Sequence, residues 1–219
     1  MAEVVTIDGP TSSGKNSVGF LLAQKLGYQY IDTGMIYRVG TYLVLKSKIS
    51  LDDHQGITEI YKNLKIEVKP SEKNLKIFSN GEELTSELYS KEVTDAVSPV
   101  AAIREVRQAT KIIQRQLGET GNTVMTGRDI GSEIFPTAKY KFFLTARPEV
   151  RAKRRFDQLV KKDPQVTFDA VLASLADRDK QDSTREVSPL RVPDGAVVID
   201  NSDMSVEQTV EKIISLMHV

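Results

Sequence analysis

The chain has 219 residues, 40% apolar and 27% charged, which suits one α/β domain with an insertion and leaves enough apolar side chains for a core. Its 30 basic and 30 acidic residues cancel, which argues against broad electrostatic binding to nucleic acid or acidic membranes. Cysteine is absent and His54 and His218 are the only histidines, so thiolate catalysis, disulfides and cysteine–metal sites are excluded and a histidine-built metal site is not expected.

Val4-Val5-Thr6-Ile7 predicts a strand, and Val18, Leu21, Leu22 and Leu26 predict a helix. Between them lies Asp8-Gly9-Pro10-Thr11-Ser12-Ser13-Gly14-Lys15-Asn16-Ser17. Strand, glycine loop, lysine and helix together predict a phosphate site over Gly9, Pro10, Thr11, Ser12, Ser13, Gly14, Lys15, Asn16 and Ser17. Glycines allow successive N–H groups to converge on one anion, the helix start adds unpaired N–H groups and a positive dipole end, and Lys15 adds a full charge. The P-loop pattern places Ser or Thr directly after the lysine. Here that position is Asn16, so the hydroxyl on the Mg²⁺ side of a bound nucleotide is assigned to Ser17.

Gly27 ends the helix, and Tyr28–Ile31 predicts a second strand that runs into Asp32-Thr33-Gly34. Met35, Ile36, Val39, Leu43 and Val44 then predict a helix, with Arg38 one turn in. Successive strand–loop–helix units imply a parallel sheet with ligands at the carboxyl ends of its strands. Thr33 fits both helix capping and binding, which are compatible. Residues 50–92 break the alternation: Leu64, Ile66 and Val68 alternate with charges, Leu75, Ile77 and Phe78 make a partner run, and Asn80-Gly81 is a tight-turn signal. A small antiparallel insertion is expected there, as a lobe over the acceptor site. The expected layout is a core of 1–49 and 93–219, with the lobe at 50–92 and a lid near 148–165.

The chain turns helical again from Val93; Ser98-Pro99 is expected to break the helix, with a long amphipathic helix from Val100 to Leu117. Arg104, Arg107 and Lys111 fall on one side of it, and a solvated basic stripe is the plain expectation. Thr123–Thr126 predicts a buried strand ending in Gly127-Arg128-Asp129-Ile130-Gly131, and Lys141–Leu144 a further strand. Pro148 opens a helix on which Arg151, Arg154 and Arg155 share a face, as on a lid that closes over phosphates. A helix from Thr167 to Gln181 precedes Asp182 and Arg185; Arg178, Asp182 and Arg185 share a face, where mutual salt bridging is the competing account. Val197–Asp200 closes the sheet, and Ser205–His218 caps it as a helix. Arg38 is the only arginine before residue 100. Arginine presents a planar fork suited to phosphate, so the second half of the chain reads as the part that carries phosphate clamps.

Ile7-Asp8-Gly9-Pro10 with the P-loop, Asp32-Thr33-Gly34-Met35-Ile36-Tyr37-Arg38, Gly127-Arg128-Asp129-Ile130-Gly131, and Arg178–Arg185 followed by Ser188-Pro189-Leu190 resemble the bacterial-type cytidylate kinases, a nucleoside monophosphate kinase family, over nearly the whole chain. The resemblance implies a P-loop three-layer α/β fold: a central parallel sheet, a helical lid and a small antiparallel acceptor lobe. It implies transfer of the γ-phosphoryl group of ATP to CMP or dCMP with Mg²⁺. It also implies that Arg38, Arg128 and Arg185 hold the acceptor phosphate, that Arg178 and Asp182 contact the ribose, and that Ser98, Arg107 and Asp129 read the base. Arg154 and Arg155 correspond to lid arginines around the transferred group, so Lys15, Arg128, Arg154, Arg155 and Arg185 make the expected catalytic set, with Thr33 on the CMP side. Three positions depart from the family: Asn16 for a small residue, Thr126 where an acid often precedes Gly-Arg-Asp, and Pro99 after Ser98.

The chemistry agrees, since phosphoryl transfer needs positioning and charge stabilisation rather than a covalent nucleophile. Two rivals stay open at this point: a small P-loop kinase with a different acceptor, and a non-catalytic nucleotide-binding regulator. ATP and CMP or dCMP are the expected partners, with no nucleic acid and no membrane. No apolar run reaches membrane length and the N-terminus enters a strand directly, so a cytoplasmic location is expected. A monomer is expected as well.

Overall fold

The computed structural model describes residues 2–70, 75–161 and 163–217. His218 of the expected C-terminal helix, residues 71–74 of the expected lobe and residue 162 of the expected lid lie outside the described residues. The first half of the chain holds β1 (Val4–Asp8), α1 (Lys15–Leu26), β2 (Gln29–Asp32), α2 (Thr33–Lys46), α3 (His54–Lys62), β3 (Glu67–Pro70), β4 (Leu75–Ser79), β5 (Glu82–Glu83) and α4 (Lys91–Ala102). It continues with α5 (Arg104–Glu119), β6 (Thr123–Gly127), β7 (Tyr140–Thr145), α6 (Pro148–Leu159), α7 (Phe168–Thr184), β8 (Val197–Asp200) and α8 (Val206–Met217). Two compact units result, Met1–Asp32 with Arg115–Val219, and Thr33–Gln114.

In the first unit five strands form one parallel sheet in the order β2-β6-β1-β7-β8. The central strands β1 and β6 are covered on both faces and read as short apolar runs, whereas Val197 and Val198 of the edge strand β8 are exposed. Val5, Ile7, Val124, Phe142, Leu144 and Ile199 pack with Val18 and Leu22 of α1 and Val210 and Ile213 of α8. Met125, the neighbour of Val124, points the other way and packs with Ile31, Ile130, Ile134 and Phe135. All strands run in one direction, so the loops after β1 and β6 leave the same edge of the sheet; Asp8 is in register with Gly127, and Asp32 with Thr126. The expected lid is α6, which packs on α7 through Ala152, Val171 and Leu175. Thr167 caps α7 by accepting from the Ala170 N–H.

In the second unit β3, β4 and β5 form an antiparallel sheet. Asn80 and Gly81 have φ of 48° and 82°, the left-handed pair that a tight hairpin turn requires. In the same unit α2, α3 and α4 contribute Ile36, Val39, Ile57, Val93 and Val97 to a buried interior. Tyr61 sits there fully buried, its hydroxyl donating to the Tyr37 carbonyl at 2.7 Å.

Three expectations are corrected in this unit. The strand read from Leu64 to Val68 begins only at Glu67, and Val68 is 38% exposed rather than inward. The Ser79 hydroxyl instead donates to the Lys65 carbonyl, so the preceding segment is tied by a side chain and not by a ladder. Pro99 does not break its helix: α4 runs on to Ala102, and the chain turns extended at Ile103 with ψ of 124°. Pro99 forfeits the N–H bond to the Asp95 carbonyl, yet one further turn continues to Ala102 before the chain leaves the helix. The basic stripe of α5 is not uniformly solvated, because Arg107 is only 6% exposed while Arg104 is exposed.

Candidate active site

The phosphate loop spans residues 9–14 between β1 and α1. Gly14, the N-cap, has φ of 88° and supplies no side chain, so the first N–H groups of α1 are left uncovered by a cap. A Cβ on Gly9 would lie 2.1 Å from the Leu144 carbonyl oxygen, which forbids any larger residue there. Ser12 holds φ of 60°, an uncommon conformation for a residue with a side chain. Lys15 is 8% exposed and its Nζ donates to the Pro10 carbonyl at 3.1 Å. Burial and then the Arg128 guanidinium push Lys15 well below the usual ammonium range, against the pull of Asp32 and Asp182. An anion bound in the loop would relieve both effects.

The loop is fastened through its carbonyls by two arginines of the expected lid helix, Arg151 and Arg154, and by Asn201, which sequence patterning does not single out. Arg151 donates to the Thr11 carbonyl at 3.2 Å and to the Ala146 carbonyl at 3.1 Å, and pairs with Asp179 at 2.6 Å. Arg154 donates to the Ser13 carbonyl at 3.3 Å, to Asn201 Oδ1 at 3.1 Å and to the Asn201 carbonyl at 2.8 Å. The buried Asn201 donates a second bond to the Ser13 carbonyl at 3.0 Å. With their carbonyls held from behind, the loop amides keep a fixed orientation. Arg155 does not join this set; its guanidinium reaches Gln158 on its own helix at 3.4 Å.

Asp8 joins the loop to the second motif. Its carboxylate accepts from the Ile130 N–H at 2.8 Å and the Gly131 N–H at 2.7 Å. Burial raises it to about 7, although both amides and Lys15 favour its charged form. Those bonds hold the turn that carries Arg128 and the buried Asp129. Arg128 donates to Thr11 Oγ1 at 2.7 Å and to Asp182 Oδ2 at 2.8 Å. Arg185 Nη1 lies 3.6 Å from Asp182 Oδ1, and its Nε donates to the Ser188 carbonyl at 2.7 Å. Burial would raise Asp182, but Arg128, Arg185 and Arg178 outweigh it and hold the carboxyl below its usual range. Of the residues sharing that face, Asp182 and Arg185 pair with each other, while Arg178 acts on Asp182 through its charge. The same bridges gather Arg128 and Arg185 around one carboxylate.

Within the second unit, Thr33 is buried at the first position of α2. Arg38 donates to the Leu88 carbonyl at 2.8 Å and to Thr94 Oγ1 at 3.2 Å, with its guanidinium 5.2 Å from the centre of the Tyr89 ring. Arg107 donates to the Ala101 carbonyl at 3.1 Å and lies 5.5 Å from the centre of the Tyr37 ring. Ser98 lies in the last turns of α4, half-buried. Ser17, in the first turn of α1, is exposed.

A family model described as cytidylate kinase matches residues 5–219. The cytidylate kinase of Geobacillus sp. (strain WCH70) is 41% identical over 214 residues, 98% of this chain and 96% of that protein. The cytidylate kinase of Bacillus subtilis (strain 168) is 41% identical over 210 residues, 96% of this chain and 94% of that protein. Among solved structures, the shikimate kinase of Bacteroides thetaiotaomicron matches with a TM-score of 0.51 at 12% identity over 100% of both chains, a likeness of fold alone. With the phosphate loop, the Gly127–Gly131 turn and the Asp182 cluster in place, and a match that leaves out only the first four residues, the chain belongs to the cytidylate kinase family.

Proposed function

We infer that the protein phosphorylates CMP, taking the γ-phosphoryl group of ATP, with dCMP as a second acceptor. The family match across residues 5–219 carries this reading, and the phosphate loop beside a cluster of arginines supports it. A kinase with another acceptor and a non-catalytic regulator are both less favoured, because the relatives of this length are cytidylate kinases.

In this reading Gly9 to Ser17 hold the ATP phosphates, and Lys15 takes up charge on the transferred group. Arg38, Arg128 and Arg185 hold the acceptor phosphate, Arg178 and Asp182 the ribose, and Ser98, Arg107 and Asp129 the cytosine, with Thr33 on the same side. Arg154 and Arg155 attend the transferred group. A nucleoside monophosphate loses its second proton near pH 6, so its oxygen attacks as an anion and no histidine base is required. Cytosine presents a donor at N4 and acceptors at N3 and O2, which an acceptor-only carboxylate at Asp129 and a donor-only guanidinium at Arg107 complement. Uracil would set its O4 carbonyl against the carboxylate.

Mg²⁺ fits the residues present. No group of three or more His, Cys, Asp or Glu side chains could cage a metal among the described residues. Mg²⁺ in kinase sites is held mostly by nucleotide phosphates and water with few protein oxygens, and Ser17 and Asp32 offer such oxygens beside the loop. The bound ion would neutralise charge between the outer phosphates.

A coupled assay of ATP with CMP, dCMP, UMP and AMP tests the reading. CMP and dCMP are expected to give the highest kcat/KM. Preference for AMP would replace the acceptor assignment, and ATP binding without turnover on any acceptor would favour the regulator.

A further inference from the structure

Two departures from the family pattern, Asn16 and Thr126, meet each other in space. Thr126 Oγ1 donates to Asn16 Oδ1 at 3.3 Å, and Asn16 Nδ2 donates to Asp32 Oδ2 at 2.5 Å. A carboxylate only accepts, which fixes the amide nitrogen toward Asp32 and the amide oxygen toward Thr126. Thr126 has one hydroxyl proton and gives it to Asn16, so the Tyr30 hydroxyl, 3.1 Å away, is the donor to Thr126. The result is a directed chain, Tyr30 to Thr126 to Asn16 to Asp32, ending on a charged oxygen.

Asp32 is the register partner of Thr126 on the adjacent parallel strand, at the same carboxyl edge of the sheet. A carboxylate at position 126 would stand in the middle of that edge; here the position holds a buried, neutral hydroxyl, with Asp32 on one neighbouring strand, β2, and Asp8 on the other, β1. Asn16 follows Lys15 directly, in the first turn of α1, so the carboxylate it holds stands beside the anion-binding loop. A fixed carboxylate beside a polyphosphate calls for cations to offset the repulsion: Lys15 is one, its charged form favoured by Asp32, and a divalent ion shared with the phosphates would be the second.

We propose that Asp32 supplies the metal-side carboxylate of the phosphate site and that Asn16, braced by Thr126, is the positioning residue that aims it. The proposal rests on the kinase reading above. Ser17 keeps the metal-side hydroxyl, and with a neutral Thr126 on β6 the metal-side charge is left to Asp32 on β2, held by Asn16.

The test is ADP binding by calorimetry, with Mg²⁺ and with EDTA, on the full-length protein and on Asp32→Asn and Asn16→Ala, with circular dichroism to confirm folding. Asp32→Asn keeps the oxygen that accepts from Asn16 and removes only the charge. The wild type is expected to bind ADP at least about tenfold more tightly with Mg²⁺. Asp32→Asn is expected to lose that gain while binding metal-free ADP as well or better, and Asn16→Ala to lose part of it, since partners one step removed from a metal typically cost about tenfold in its affinity. Water-proton relaxation with Mn²⁺ and ADP should show the same order. An unchanged metal-dependent gain in folded Asp32→Asn, or equal weakening with and without metal, overturns the proposal. CMP turnover by the same wild-type preparation separates the two failures: its absence overturns the kinase reading, and normal turnover with unaltered metal dependence overturns only this one.

Discussion

The phosphate loop and the Asp182 cluster lie in one unit of the molecule and are held by different physics. The loop is tied by neutral acceptors. Carbonyls of Pro10, Thr11 and Ser13 receive Lys15, Arg151, Arg154 and Asn201, so the ties leave the loop amides unspent, with Arg151 also paired to the Asp179 carboxylate behind the loop. The cluster is tied by charge, with Arg128 and Arg185 both directed at the Asp182 carboxylate. A loop tied through its main chain stays in shape whether or not a nucleotide is bound. Arginines paired with a carboxylate can exchange part of that pairing for a phosphate, and the exchange costs less than bringing bare charges together in a buried place. We expect the donor side to be preformed and the acceptor side to be completed by its substrate.

The sharpest way to break this contrast is at Lys15. Lys15→Ala should lower kcat by more than about a hundredfold, since one preorganised charge contact to the transition state contributes on the order of 3 kcal/mol. Circular dichroism of the variant should match the wild type, and near-normal turnover in a folded variant would remove the loop from the chemistry.

Base recognition gives the next largest effect. Asp129→Asn can donate where the wild type only accepts, and is expected to narrow the ratio of kcat/KM for CMP over UMP by about tenfold, the worth of one unpaired polar group in a closed site. An unchanged ratio would take Asp129 out of base recognition.

Asn201→Ala should act on the donor side alone. It takes one of two donors from the Ser13 carbonyl, and loss of about 1 kcal/mol predicts a rise of roughly fivefold in the KM for ATP with that for CMP unchanged. A rise confined to CMP would place the residue on the wrong side of the comparison.

Asp8 gives a distinct effect, read on stability rather than on rate. The unfolded chain ionises this carboxyl near about 4, whereas burial holds its proton to about 7 in the folded protein. Between those values the folded state binds more protons, so stability contributed at this site falls as pH rises from about 4 to about 7. Asp8→Asn should flatten that part of a denaturation-midpoint profile. An unaltered slope would mean that Asp8 is already ionised in the fold.

Much of this was legible in residue order. The strand, glycine loop and helix around Lys15, the Asn80-Gly81 turn and the Gly127–Gly131 turn are local patterns, and local patterns are what a sequence displays. The ties across the fold are different. Asp8 reaches Ile130, Asn201 reaches Ser13 and Arg151 reaches Thr11, and no spacing rule links residues so far apart in the chain. The one local signal for Asp8 is an ionisable residue closing an apolar strand just before a glycine. Arg107 misled for another reason. Helical periodicity counts arginine as a solvent-facing charge, but its guanidinium lies over the Tyr37 ring, where an aromatic face and a carbonyl replace water.

The most direct test is the pair of KM values in Asp182→Ala, measured with CMP varied at saturating ATP and with ATP varied at saturating CMP. If the Asp182 cluster belongs to the acceptor and the loop is preformed without it, the KM for CMP should rise by about tenfold or more and that for ATP should stay within about twofold of the wild type. A rise in the KM for ATP with that for CMP unmoved would contradict the account.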